Sequence, residues 1–206
     1  MPSLLAGDLA SGTLYMVTND FDPLAQKKFD NFQRYVSIYP EYQHVFVCDN
    51  GQGDCRAGEL MFDRVPYEFE ALYVHVVLPV EKTFGYAPQR WRNKEFEPFF
   101  FHTYPEAALH AARRNPPLIR VAGLQRICTD AVKDFEGIKN WPSEVMKAER
   151  RLELNQAIWN ANAFLEWNYE DPASLVQAKQ IWATGERVRT PYGIGRVCDF
   201  DKFRSL

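Results

Sequence analysis

The sequence predicts an α+β protein: a mixed β-sheet body with two or three packed helices, followed by a C-terminal helical hairpin and a terminal β-hairpin. Three observations carry that expectation. Short β-branched and aromatic runs alternate with helical segments up to residue 139. From Trp141 to Trp182 the pattern turns almost entirely helical. The chain then passes through GERVRTPYGIGRV, whose Pro-Tyr-Gly-Ile-Gly centre is turn chemistry. The expected organisation is an α+β body over residues 1–139 and a helical extension with its β-hairpin over 140–206, packed on the body as one structural unit.

The elements follow in order. TLYMVT (13–18) is β-rich and reads as a first strand. A helix starts with Asp22 as N-cap and Pro23 at its first position; Phe29, Phe32 and Val36 supply its buried stripe, and Pro40 stops it. YQHVFVC (42–48) is a second strand and ELMFDRV (59–65) a shorter third. ALYVHVVLPV (71–80) is apolar at successive positions, as a central strand covered on both faces would be. FFFHT (99–103) is another strand, running into a helix that Thr103 caps with Pro105 and Glu106 in its first turn. PLIRVAGLQRI (117–127) reads as a returning strand, which would complete a right-handed crossover unit. Pro142 opens a long helix with Val145, Leu152, Trp159 and Leu165 near one face, and Pro172 opens a second.

At 206 residues the chain is long enough to bury a sizeable core without staples. Its 46% hydrophobic and 25% charged residues are ordinary for globular chains and exclude disordered and fibrous classes. The net charge of −3 exerts no global pull on nucleic acid. MPSLLAGDLASGTLYM lacks the basic start and apolar core of a secretory signal, and no apolar run approaches the roughly eighteen residues that span a membrane. Cysteines 48, 55, 128 and 198 are too sparse for a disulfide framework. They read as reduced thiols, and the expected location is cytoplasmic.

The stretch VFVCDNGQGDCRAGEL (45–60) concentrates cysteine, carboxylate and glycine. Read as a calcium loop from Asp49, it has Gly51 and Gly53 at positions three and five and Leu60 at position twelve, where oxygen ligands belong. A dinucleotide fingerprint would need its third glycine where Arg56 stands. His44 cannot join Cys48 on one metal, because four residues of strand separate them by ~13 Å. Turn chemistry explains Asp-Asn-Gly-Gln-Gly, and a Cys48–Cys55 bridge is disfavoured in a reducing compartment. His44 and His75 sit in strands with Phe46 and Val77 at the positions where two-histidine phosphodiesterases carry a hydroxyl; both read as core histidines. His102 stands at a strand end, where catalytic groups gather, and His110 follows on the next helix. The expectation is no catalytic residue, no metal and no cofactor.

Glu68-Phe-Glu70 and Glu95-Phe-Glu97 each place two carboxylates on one face of an extended chain. Together with the order of LYMVT and FFFHTYPEAALHAARR, such a Glu-x-Glu pair resembles the mono-ADP-ribosyltransferases, though Met16 or Val17 stands where that family has Arg or His. The resemblance implies nucleotide chemistry as an alternative function.

GYAPQRWRNKEFEP (85–98) links two strands with a long polar loop in which Arg90, Trp91, Arg92 and Lys94 interleave cations with an indole. That chemistry suits a protein hot spot, and also grips phosphates and stacks bases. Arg187, Arg189 and Arg196 add a basic edge on the terminal hairpin, which resembles hairpins of small SH3-like barrels. The expected function is therefore a non-catalytic macromolecular interaction protein, an assembly subunit or an inhibitor, with a protein partner contacted through Arg90, Trp91, Arg92, Lys94, Arg187, Arg189 and Arg196. Sequence-independent nucleic-acid binding through the same cations is a third reading.

Overall fold

The computed structural model describes residues 20–87, 97–168, 187–190 and 193–196. The fold is mixed α+β, and the chain forms two compact units, Met1–His102 and Thr103–Leu206. Residues 13–18 and the helix expected from Pro172 lie outside the described residues.

The first unit starts with helix α1 (Asp22–Ile38). Pro23 sits in its first turn as expected, but Asp22 is already helical, and it is Asp20 whose carboxylate accepts the Asp22 N–H at 3.0 Å. Strand β1 (His44–Asp49), helix α2 (Asp54–Arg64) and strand β2 (Phe69–His75) follow, then a single 3-10 turn (Val80–Lys82) and strand β3 (Phe99–Phe101). The three strands lie in the order β1-β2-β3 and both pairings are parallel. A β1-α2-β2 crossover is what parallel neighbours require.

That crossover corrects the reading of 59–65 as a strand. Glu59, Leu60 and Met61 are strong helix formers, and the segment buries Cys55, Ala57, Gly58, Leu60 and Met61 as part of α2. Apolar side chains of α1 (Ala25, Phe29, Phe32) and α2 meet Phe46, Cys48, Leu72 and Val74 in one core on one face of the sheet. On the other face β1 exposes Val45 and Val47, whereas Ala71 and Tyr73 of β2 and Phe101 of β3 are buried. ALYVHVVLPV is thus central as expected, but its strand ends at His75, not at residue 80.

The second unit has helix α3 (Tyr104–Arg113), α4 (Val121–Gly137) and α5 (Glu144–Asn168). Thr103 caps α3, its hydroxyl accepting the Glu106 N–H at 3.4 Å. Residues 117–127 do not form the expected strand: after Pro117, α4 runs from Val121 and buries Leu124 and Cys128, four apart on one helical face. Ala108, Leu109, Leu124, Cys128, Leu154, Ile158, Ala161 and Leu165 form this unit's core. On α5 the expected stripe is also corrected. Leu165 is buried, but Val145, Leu152 and Trp159 are exposed, because Leu154, Ile158 and Ala161 take the inner face. Further on, strands β4 (Arg187–Thr190) and β5 (Gly193–Arg196) pair antiparallel. No helix among the described residues is long and apolar enough to cross a membrane.

One backbone position ties the segment after the 3-10 turn to α2. Gly85 has φ +77°, and a Cβ there would come within 2.5–2.8 Å of Arg56 Cβ, Cα and N. Both the left-handed backbone and the contact exclude a side chain. Gly85→Ala is expected to lower unfolding free energy by about 2 kcal/mol or more in a urea titration.

Candidate functional site

Parallel sheets bind ligands outside the carboxyl ends of their strands. Here that edge is well defined, because Asp49, His75 and Phe101, at or near the ends of β1, β2 and β3, pair in register. The turn Asn50-Gly51-Gln52-Gly53 carries the chain from this edge into α2, so the glycine-rich stretch is a strand-to-helix junction.

Asn50 organises the junction. It is only 1% exposed, and its backbone N–H donates to the His75 carbonyl at 3.1 Å. Its side-chain oxygen accepts the N–H groups of Val77 (2.8 Å) and Leu78 (2.9 Å). Its amide donates to the Leu78 carbonyl (2.8 Å) and the buried Thr83 hydroxyl (2.9 Å). An asparagine has four such capacities and this one uses all four. The segment following β2 is thereby held against the end of β1. Asp49 completes the turn, one carboxylate oxygen accepting the Gly51 N–H at 2.7 Å.

Charge collects beside this brace. Asp54, the first residue of α2, is largely buried and ion-paired with Lys28, which reaches it from α1. Burial lowers the Lys28 pKa from its ordinary value, opposed by the nearby Cys48 and Asp49. Arg56 bridges the same two helices, its Nε donating to Asp22 at 3.0 Å while its guanidinium pairs with buried Glu59. Cys48 and Cys55 are free thiols. Burial above all pushes both up, Cys55 to about 12; Asp49 adds to each, and at Cys48 the neighbouring Cys55 also raises while Lys28 opposes.

His75 stacks on Phe101, with centroids 5.2 Å apart and planes at 14°, and its Nε2 donates to the His102 carbonyl at 3.2 Å. His102 itself is exposed at the end of β3. His44 lies at the amino end of β1, edge-on to Phe32 and Tyr35. Its Nδ1 donates to the Glu68 carbonyl at 3.2 Å while Nε2 is buried without a partner among the described residues. It packs as a core histidine. Glu68 and Glu70 stand at the amino end of β2 and Glu97 just before β3. These carboxylates therefore occupy the end of the sheet opposite the Asp49–His75 edge.

Arg90, Trp91, Arg92 and Lys94 lie outside the described residues. The flank of their loop is anchored: Phe84 packs on Phe21 at 5.2 Å and Tyr86 on Phe100 at 4.5 Å. Arg187 lies opposite Arg196 in the β4–β5 register, with Arg189 two residues along. Lys28, Asn50 and Asp54 were not marked out by the sequence as a site. The signal that would have found Asn50 and Asp54 is the strand–turn–helix pattern of 44–64, hidden once 59–65 is read as a strand; no local signal points to Lys28.

Two measurements check this junction. Asn50→Ala leaves two N–H groups, a carbonyl and a hydroxyl without their partner, and is expected to cost about 2 kcal/mol or more in chemical denaturation. Raised thiol pKa values keep Cys48 and Cys55 protonated at pH 8, so site-resolved mass spectrometry should find iodoacetamide modification at least tenfold slower at both than in the urea-unfolded chain. The chain matches no family model, no curated protein and no solved structure.

Proposed function

We propose that the first unit binds a phosphorylated small molecule at the carboxyl edge of its parallel sheet, with Lys28, Asp49 and Asp54 as the polar contacts. The observation that carries this reading is the partly buried Lys28–Asp54 pair beside the strand-to-helix junction. Holding two charges out of water is costly, and a pair so placed is a candidate for function rather than stability. One cation between two carboxylates leaves the locality negative, so a bare anion would not be favoured. A phosphate arriving with Mg²⁺ resolves the imbalance, because Mg²⁺ commonly uses one or two carboxylates and takes its remaining ligands from phosphate and water. Lys28 would meet the phosphate as a point charge. This is the nucleotide-chemistry alternative in a broader form, and it does not use the Glu-x-Glu pairs.

The test is calorimetric titration with inorganic phosphate and with ATP, each with and without Mg²⁺. Saturable, Mg²⁺-dependent binding that weakens at least tenfold in Lys28→Ala and in Asp49→Asn is the expected outcome. Absence of binding by the wild-type chain at millimolar probe would sink the reading.

A second reading, the non-catalytic interaction protein of a cytoplasmic assembly, is favoured by a different observation. Ile38, Tyr42, Val45, Val47 and Tyr67 are large apolar side chains 65%, 61%, 43%, 53% and 87% exposed, all in or beside the β1 region. The Arg90–Lys94 loop, with Arg187, Arg189 and Arg196, remains part of this proposal. Mass measurement on protein from its native source, alongside the Trp91→Ala, Arg92→Ala double variant, tests it. A stoichiometric complex lost in the double variant is expected; a bare monomer from the native source rejects it.

A further inference from the structure

Strand β1 lies at an open edge of the sheet. It pairs with β2 on one side and with no strand among the described residues on the other. Asn50, just past its end, donates its N–H to the His75 carbonyl of β2. The alternation of an extended strand then turns the N–H groups of Phe46 and Cys48 toward β2 and those of Val45 and Val47 to the open side. Val45 and Val47 are also 43% and 53% exposed, whereas Ala71 and Tyr73 of β2 are buried. An apolar edge of this kind is a template for one more strand.

The path of the chain selects which strand. Helix α1 begins at the carboxyl edge of the sheet, where the Phe21 carbonyl lies 2.8 Å from the place a Cβ on Gly53 would take, and Asp22 pairs with Arg56 of α2. The helix runs to Ile38, and residues 39–43 lead on to the amino end of β1. A helix that enters at the carboxyl edge and feeds a parallel strand is the second half of a β-α-β unit. α1 shares its face of the sheet with α2, since both pack with Phe46, Cys48, Leu72 and Val74. Crossovers are right-handed in roughly 98% of cases, so two on one face step across the sheet in the same direction. α2 steps from β1 to β2, and α1 must therefore step onto β1 from its open side.

We propose that residues 13–18 (TLYMVT), which lie outside the described residues, dock on the open edge of β1 as a parallel strand. Three residues separate Thr18 from Asp22, a length common between a strand and the helix that follows it. Leu14 and Met16 alternate with Tyr15 and Val17, so both faces of that strand are apolar. One pair extends the core beneath α1, and the other flanks Val45 and Val47. Thr18 and Asn19 then arrive at the carboxyl edge to which Asp49 belongs.

Hydrogen exchange and NOE spectroscopy on the full, isotope-labelled chain test the proposal. The expected result is protection of the Val45 and Val47 amides, with NOEs from them to α-protons of residues 13–18. A Met16→Pro, Val17→Pro double variant removes one N–H from each side of the docking segment. Exchange at Val45 and Val47 is then expected to speed up at least tenfold, while Phe46 and Cys48, bonded to β2, stay protected. Unprotected Val45 and Val47 amides in the wild-type chain overturn the proposal, whether or not the double variant folds. So does protection that the double variant leaves unchanged, or protection accompanied by NOEs to another segment or, in a mixed-label sample, to a second copy of the chain.

Discussion

The four hydrogen bonds of the Asn50 side chain are the constraint on which the first unit turns. They hold the backbone that leaves β2, at Val77 and Leu78, to the turn that leaves β1, and they use Thr83 to fix the segment beyond. Without them the N–H groups of Val77 and Leu78, the Leu78 carbonyl and the buried Thr83 hydroxyl would lose the partner they share. With them the carboxyl edge of the sheet has a defined floor. Everything positioned there, Asp49 in its turn, Asp54 at the start of α2 and Gly85 pressed on Arg56, inherits its place from that brace.

Electrostatics around the brace is the opposite of economical for stability. Lys28 and Asp54 lie partly out of water, and desolvation alone would favour the neutral lysine. Arg56 and Glu59 form a second such pair one turn along. Well-packed apolar side chains would serve the α1–α2 contact at lower electrostatic cost. Charges kept at the ligand-binding end of a parallel sheet are the reason for reading this edge, rather than the aromatic loop, as the stronger candidate.

The second unit poses a different question on α5. Helix α5 buries Leu154, Ile158, Ala161 and Leu165 in the core of the second unit and leaves Val145, Leu152 and Trp159 exposed. Exposed single apolar residues are ordinary, but three in a seven-residue register are a pattern.

Local signals in the sequence determined several elements. Pro23 stands in the first turn of α1, Thr103 caps α3, the apolar run around Leu72 to Val74 makes a central strand, and Glu144–Asn168 is helical. Each depends on backbone geometry or side-chain preference within a few residues, which is why it can be read locally. What tertiary structure alone decided was which of two compatible patterns prevailed. Residues 59–65 carry both helix formers and strand-like aromatics, and the need for a crossover between parallel β1 and β2 made them helix. Residues 117–127 have apolar spacing that suits either state, and burial of Leu124 with Cys128 goes with a helix from Val121 onward. Val145, Leu152 and Trp159 form as good a helical stripe as Leu154, Ile158 and Leu165, and only packing against α3 and α4 chose the inner face. The same holds for the candidate site. Asp49, Asn50 and Gly51 could be read as a turn, but Lys28 meets Asp54 from 26 residues away, a juxtaposition that no local periodicity encodes.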